Sequence, residues 1–258
     1  MKKTLILLGL MSVVGVANAQ LFTLTDGNAV VDGDAGNGLL YNWFTDGVDD
    51  LFNQDYYFRV GNNPEAPIWT AGPAVVTPIT ANIVNVAYTN ALFRFDITYT
   101  LIGGAAGSGT SDIGEIVRIQ NLSNGALDFH LFEYDDFDLN GTAGGDNAML
   151  VNGSTIMQWE NNTTAMVGSV PPFDHWEIDS WPNTLAKLND GVADNLSDAG
   201  SPSGPNDLAF AMQWDRNINA GGTFLMSKNK RIEVVPEPAT MAALGLGVLA
   251  LARRRRKS

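Results

Sequence analysis

Residues 93–101 alternate strictly: Phe93, Phe95, Ile97, Tyr99 and Leu101 are apolar, and the intervening Arg94, Asp96, Thr98 and Thr100 are polar. A period of two held over nine residues predicts a half-buried antiparallel strand. The preceding segment 83–88 is its expected partner, and the Gly-rich 103–109 is a flexible connection. Residues 113–119 and 127–134 are expected to pair as a hairpin about a turn at 121–125. A second hairpin joins 149–151 to 154–159 across Asn152-Gly153, a dipeptide that suits a type I′ turn because both positions tolerate φ > 0. Leu208, Phe210, Met212 and Trp214 alternate with Ala209, Ala211 and Gln213, and after Gly221-Gly222 the segment 223–226 is expected to pair back.

The remaining pattern is short strands between long turns. Residues 20–67 are rich in Asp, Asn and Gly, interrupted by the aromatic runs at 41–44 and 56–58. Pro64, Pro67, Pro73 and Pro78 mark 63–80 as an irregular connector or sheet edge, because proline cannot donate to a ladder. One short helix is predicted: Ser180 caps it, Pro182 suits its first turn, Trp181, Leu185 and Leu188 recur at helical spacing, and Gly191 ends it. The loop 189–206 carries no periodic pattern. Nothing repeats internally. The expected class is an all-β antiparallel sandwich with one short helix, followed by a C-terminal hydrophobic helix.

Both ends of the chain read as addresses. Lys2 and Lys3 precede an apolar run at 5–16, and Ala17-Asn18-Ala19 gives the small-x-small pattern of a signal peptidase site before Gln20. At the other end, Val235-Pro236-Glu237-Pro238 is followed by fourteen uncharged residues, 239–252, and then by Arg253, Arg254, Arg255, Arg256 and Lys257. A helix of that length rises only about 21 Å, short of the roughly 30 Å hydrocarbon core. The five cations are expected to stay on the cytoplasmic side. The two prolines hold the strip before the helix extended, a form that a processing enzyme can thread.

This order of motif, apolar helix and basic end resembles the PEP-CTERM sorting signal of exported proteins in Gram-negative bacteria. The resemblance implies recognition by a membrane-embedded exosortase, transient insertion in the inner membrane, removal of the tail, and delivery to the cell surface or the extracellular matrix. It says little about the body, since such tails are appended to many domains. The expected organisation is a signal peptide at 1–19, an exported domain at 20–235 and a sorting segment at 236–258.

Setting the addresses aside changes the charge. The whole chain carries −13, but the body keeps 8 cations against 27 acids, close to −19. Such a body disfavours nucleic acid and anionic membranes as partners and favours cations or uncharged sugar polymers. The absence of cysteine excludes thiol nucleophiles and Cys-ligated metals.

Candidate chemistry is sparse. Asp136, Asp138, Asn140 and Gly141 spell the first half of a calcium loop, but its twelfth position is Asn147 rather than glutamate. A different calcium site drawing on Asp135, Asp136, Asp138, Asn140 and Asp146 is the candidate cofactor site. Glu133 and Glu177 are the carboxylates to consider for glycoside hydrolysis. Trp176 and Trp181 are the candidate sugar contacts. His130 and His175, one in a strand and one in a loop, read as structural, because no elbow serine accompanies them. With no catalytic constellation along the chain, the expectation is a non-enzymatic surface protein, structural or adhesive in exopolysaccharide, as in a biofilm. The alternative is a secreted carbohydrate-active enzyme or a calcium-dependent carbohydrate-binding module.

Overall fold

A computed structural model describes residues 20–235. In chain order the strands are β1 (Leu21–Asp26), β2 (Ala29–Asp34), β3 (Leu39–Thr45), β4 (Val48–Asp49), β5 (Asn53–Val60), β6 (Ala66–Pro67), β7 (Val75–Thr80), β8 (Ile83–Thr89) and β9 (Phe93–Gly103). They continue as β10 (Thr110–Asn121), β11 (Leu127–Asp136), β12 (Asp146–Asn152), β13 (Thr155–Glu160), β14 (Thr163–Val170), β15 (His175–Ser180), β16 (Ser203–Asn206), β17 (Leu208–Ile218) and β18 (Thr223–Val234). A single-turn helix, α1 (Asn183–Lys187), follows β15. The first sheet runs β1-β2-β3-β5-β11-β17-β15, with β4 beside β3 and β6 beside β5. The second runs β16-β12-β13-β14-β18-β10-β9-β8-β7. The expected C-terminal hydrophobic helix lies outside the described residues. Among the described residues no helix is long and apolar enough to cross a membrane.

The alternation at 93–101 does what its period requires. Phe93, Phe95, Ile97, Tyr99 and Leu101 are all buried, and β9 pairs with β8 as expected. Across the interior they meet the inward residues of the first sheet: Phe93 packs edge-on against Phe129 with centroids 4.9 Å apart, and Tyr56 lies 5.5 Å from Phe95. Pro78 sits on the edge strand β7, where its missing donor costs no ladder bond.

Two expected hairpins do not form. β10 belongs to the second sheet and β11 to the first, so 122–126 is a corner between layers; β17 and β18 are divided in the same way. The four strands exchange partners, β10 pairing with β18 and β11 with β17. Asn121, fully buried, ties the two corners together: its backbone N–H donates to Gly222 O at 3.0 Å, and its Nδ2 to Gly125 O at 2.7 Å and Ile218 O at 2.8 Å. The hairpin of β12 and β13 does form, but neither Asn152 nor Gly153 adopts positive φ, and Asn152 Oδ1 instead accepts from Ser154 N at 2.9 Å. The helix is shorter than expected. Ser180 ends β15 instead of capping α1, and Pro182 takes the N-cap position without a side-chain bond.

Charge is buried between the sheets. Lys228 and Lys230 on β18 reach Glu115 on β10 and Glu133 and Asp135 on β11, with Lys230 Nζ 2.8 Å from Glu133 Oε1 and Lys228 Nζ 3.3 Å from Glu115 Oε2. Tyr56 donates to Glu115, and Gln54 Nε2 to Glu133 Oε1 at 3.1 Å. All five charged groups are buried, which locks the facing of the two layers.

Candidate functional site

β5, β11, β17 and β15 lie side by side, and their residues alternate between an interior face and an outer one. The outer face carries Tyr57, Phe132, Tyr134, Ala209 and Ala211, covered by Leu185, Leu188 and Leu196 from α1 and the loop after it. Beyond this cover polar groups gather at both ends, about 20 Å apart by the strand rise from His130 to Asp136.

At one end the chain's two histidines converge. His130 on β11 is opposite Asp215 on β17, and His175 opens β15 on the far side of that strand. His130 Nδ1 lies 2.6 Å from Asp215 Oδ1, and His175 Nε2 3.6 Å from Asp215 Oδ2. His175 Nδ1 is held by Asp198 Oδ2 at 2.8 Å. Asp198, at φ 55°, is fixed in turn by Trp176, whose N–H it accepts at 3.1 Å and whose carbonyl its own N–H reaches at 2.9 Å. Gln213 Nε2 donates to Asp215 Oδ1 at 2.8 Å and to Asn195 Oδ1 at 2.9 Å. Burial pushes the Asp215 carboxyl up, but the bonds from His130 and Gln213 and the charge of both imidazoles outweigh it and lower its pKa. An imidazole gripped by a carboxylate through one nitrogen presents the other for proton transfer. Nε2 of His130 is 3.6 Å from Asp128 Oδ1, too far for a hydrogen bond.

At the other end four strand ends meet. Phe52 enters β5, Asp136 and Asp138 leave β11, Asp207 enters β17, and Trp181 leaves β15; with Ala143 they line a pocket of about 170 Å³. One carboxylate oxygen from each of Asp136, Asp138 and Asp207 lies within 4.8 Å of the others. Burial raises Asp136 to about 7 against the Tyr134 hydrogen bond, with Asp138 and Asp207 adding to the rise. Asp138 is also raised, by burial first and then by Asp207 and Asp49.

The expected site residues divide. Asp135 and Asp136 are neighbours on a strand and so face opposite ways: Asp135 points inward to Lys230, Asp136 outward to the pocket. Asn140 turns to Glu160, Nδ2 to Oε2 at 2.9 Å, and Asp146 Oδ2 accepts from Gln158 at 2.8 Å. No twelve-residue calcium loop forms, because 146–152 is strand. Trp181 is 47% exposed at the pocket, whereas Trp176 packs against the core. Glu133 is locked between the sheets, and Glu177 Oε2 accepts from Lys187 at 2.7 Å, so these two face different layers. Asp207 and the Asp215 cluster escaped sequence reasoning. Their signal is strand register, which period alone does not supply.

Comparison with known proteins adds two findings. Residues 234–257 match the family described as the PEP-CTERM protein-sorting motif. The chain carries a PEP-CTERM sorting signal. That motif implies export, exosortase processing and sorting to the cell surface. No relative of known description matches the chain by sequence. By structure, the body resembles a bacterial glucoamylase complexed with acarbose, with TM-score 0.60 and 10% identity over 85% of this chain and 32% of that one. It thus spans about a third of that protein. It also resembles a putative aldose 1-epimerase from Escherichia coli K12, with TM-score 0.59 and 10% identity over 84% of this chain and 99% of the other. A galactose mutarotase-like protein from Lactobacillus casei aligns with TM-score 0.56 and 9% identity, over 83% and 100% of the two chains.

The expectation of a non-enzymatic structural or adhesive protein is corrected by these findings. The sandwich shares its fold with the glucoamylase, the putative aldose 1-epimerase and the galactose mutarotase-like protein. In the sequence His130 and His175 read as structural because no elbow serine accompanies them; the pairing of β11 and β15 with β17 brings both to Asp215.

Proposed function

We propose that the exported body is a carbohydrate-active enzyme that moves protons on a sugar hemiacetal, in the manner of an aldose 1-epimerase, with His130, His175 and Asp215 as its acid–base group. Residues 1–19 and 236–258 deliver it and are removed, the tail after transient membrane insertion. The observation that carries the reading is the meeting of both histidines at Asp215 on the outer face of a sheet whose fold matches sugar-handling proteins.

Interconverting the anomers of an aldose needs a base for the proton of the C1 hydroxyl and an acid for the ring oxygen. The C1–O5 bond breaks, the aldehyde rotates, and the ring closes on its other face with both protons returned. One imidazole in the neutral form and one protonated supply this pair. Asp215, with its lowered pKa, stays ionised and stabilises whichever imidazole is charged. Extracellular polysaccharide is the natural source of sugar at the cell surface.

The test is polarimetry of freshly dissolved α-D-glucose and α-D-galactose with the full-length chain. We expect mutarotation faster than in buffer, reduced at least 100-fold in His130→Asn and His175→Asn. A chain that does not accelerate mutarotation of either sugar, or variants as active as the parent, would overturn the reading.

A further inference from the structure

The acidic pocket lies at the far end of the same sheet face, and its chemistry is separate from that of the histidines. Its three carboxylates come from two strand ends that approach only in the folded chain. The donor set is oxygen alone, the choice of a hard cation. An oxygen spread of up to 4.8 Å fits one ion bonded to each at calcium distances of about 2.3–2.6 Å. A smaller magnesium ion would have to draw them closer or keep more of its waters.

Asp136 supplies the independent indication. The residue lines the pocket yet is only 1% exposed; its Oδ2 accepts from Tyr134 at 2.9 Å, and its buried Oδ1 has no partner. A buried carboxylate oxygen without a donor costs free energy that a coordinated cation would offset. Nearby Asp146 is fully buried and also keeps one oxygen, Oδ1, without a partner. Among the described residues no Lys, Arg or His forms an ion pair with Asp136, Asp138, Asp146 or Asp207. Lys228 and Lys230 are committed between the sheets.

We propose that Asp136, Asp138 and Asp207 hold one calcium-class divalent cation in the pocket, with its open side toward Phe52 and Trp181. The site departs from the calcium loop suggested by the sequence. It keeps Asp136 and Asp138, drops Asp135, Asn140 and Asp146 as direct ligands, and gains Asp207 from the bend that leads into β17, about 70 residues further on. It does not depend on the proton-transfer reading.

Terbium luminescence tests it, because the half-exposed Trp181 indole can sensitise a lanthanide bound beside it. The full-length chain, stripped with EDTA and titrated with terbium under tryptophan excitation, should give saturable emission with one equivalent of metal, displaced by calcium. Asp136→Asn and Asp207→Asn should each weaken binding at least tenfold, and exposed Asp190→Asn should leave it unchanged. Asp207, more exposed than Asp136, guards against a variant that merely misfolds. Emission that does not saturate, or affinities equal in the parent and both pocket variants, would overturn the proposal.

Discussion

Two buried aspartates show how environment, rather than residue type, sets protonation. Asp135 is pushed up to about 6 by burial, and Lys230 at its side limits the rise. Asp55 on β5 has no cation within ion-pair distance among the described residues; burial raises it to about 7 against a weak opposing bond from Asn53. The sign of its effect on stability follows directly. The folded state holds the Asp55 proton more tightly than the unfolded chain, whose aspartates titrate near 3.9. Its contribution is therefore complete below about pH 4 and is lost as pH rises through the folded value near 7, by up to roughly 4 kcal/mol. Asp50, also raised to about 7 by burial, acts in the same direction. Denaturant midpoints between pH 5 and 8 should fall with rising pH in the parent, and Asp55→Asn should flatten that slope. A parent whose midpoint rises steadily over this range would refute the assignment.

At the scale of elements, the paired corners at 122–126 and 219–222 decide the topology. Asn121 serves both of them. Asn121→Ala leaves the Ile218 carbonyl without its donor in a buried place and should cost about 1–3 kcal/mol. Asn152→Ala, in the exposed hairpin turn, should cost about 0.5 kcal/mol or less. Equal losses in urea unfolding would mean that the corner tolerates rearrangement. The same corners mark where sequence reading stopped. A period of two identifies β9 and β17 as strands and shows which residues face inward, since that depends only on alternation along one segment. Partner choice depends on contacts distant in sequence, and a short turn can close a hairpin or cross between layers. The candidate site inherits this limit. Asp136 and Asp138 stand two apart and were legible as possible ligands. Asp207 joins them, and His130 meets His175 across Asp215, only once β11, β17 and β15 lie side by side.

For the molecule as a whole, the sorting segment governs both place and charge. While it is attached, five cations at 253–257 offset an acidic body and would favour the inner face of a membrane. Once it is cut away, a body near −19 has no cationic tail to hold it at an anionic surface and is repelled by it. Cleavage would thus change address and electrostatics in one step. Exosortase recognition of the Pro-Glu-Pro strip should control that step. The triple variant Pro236→Ala, Glu237→Ala and Pro238→Ala, expressed in the producing cells, should stay in the membrane fraction with the tail present in its mass. The parent should appear at the surface without it and elute later from an anion exchanger. Tail removal at the same rate in both forms would show that another feature of the chain directs the cut.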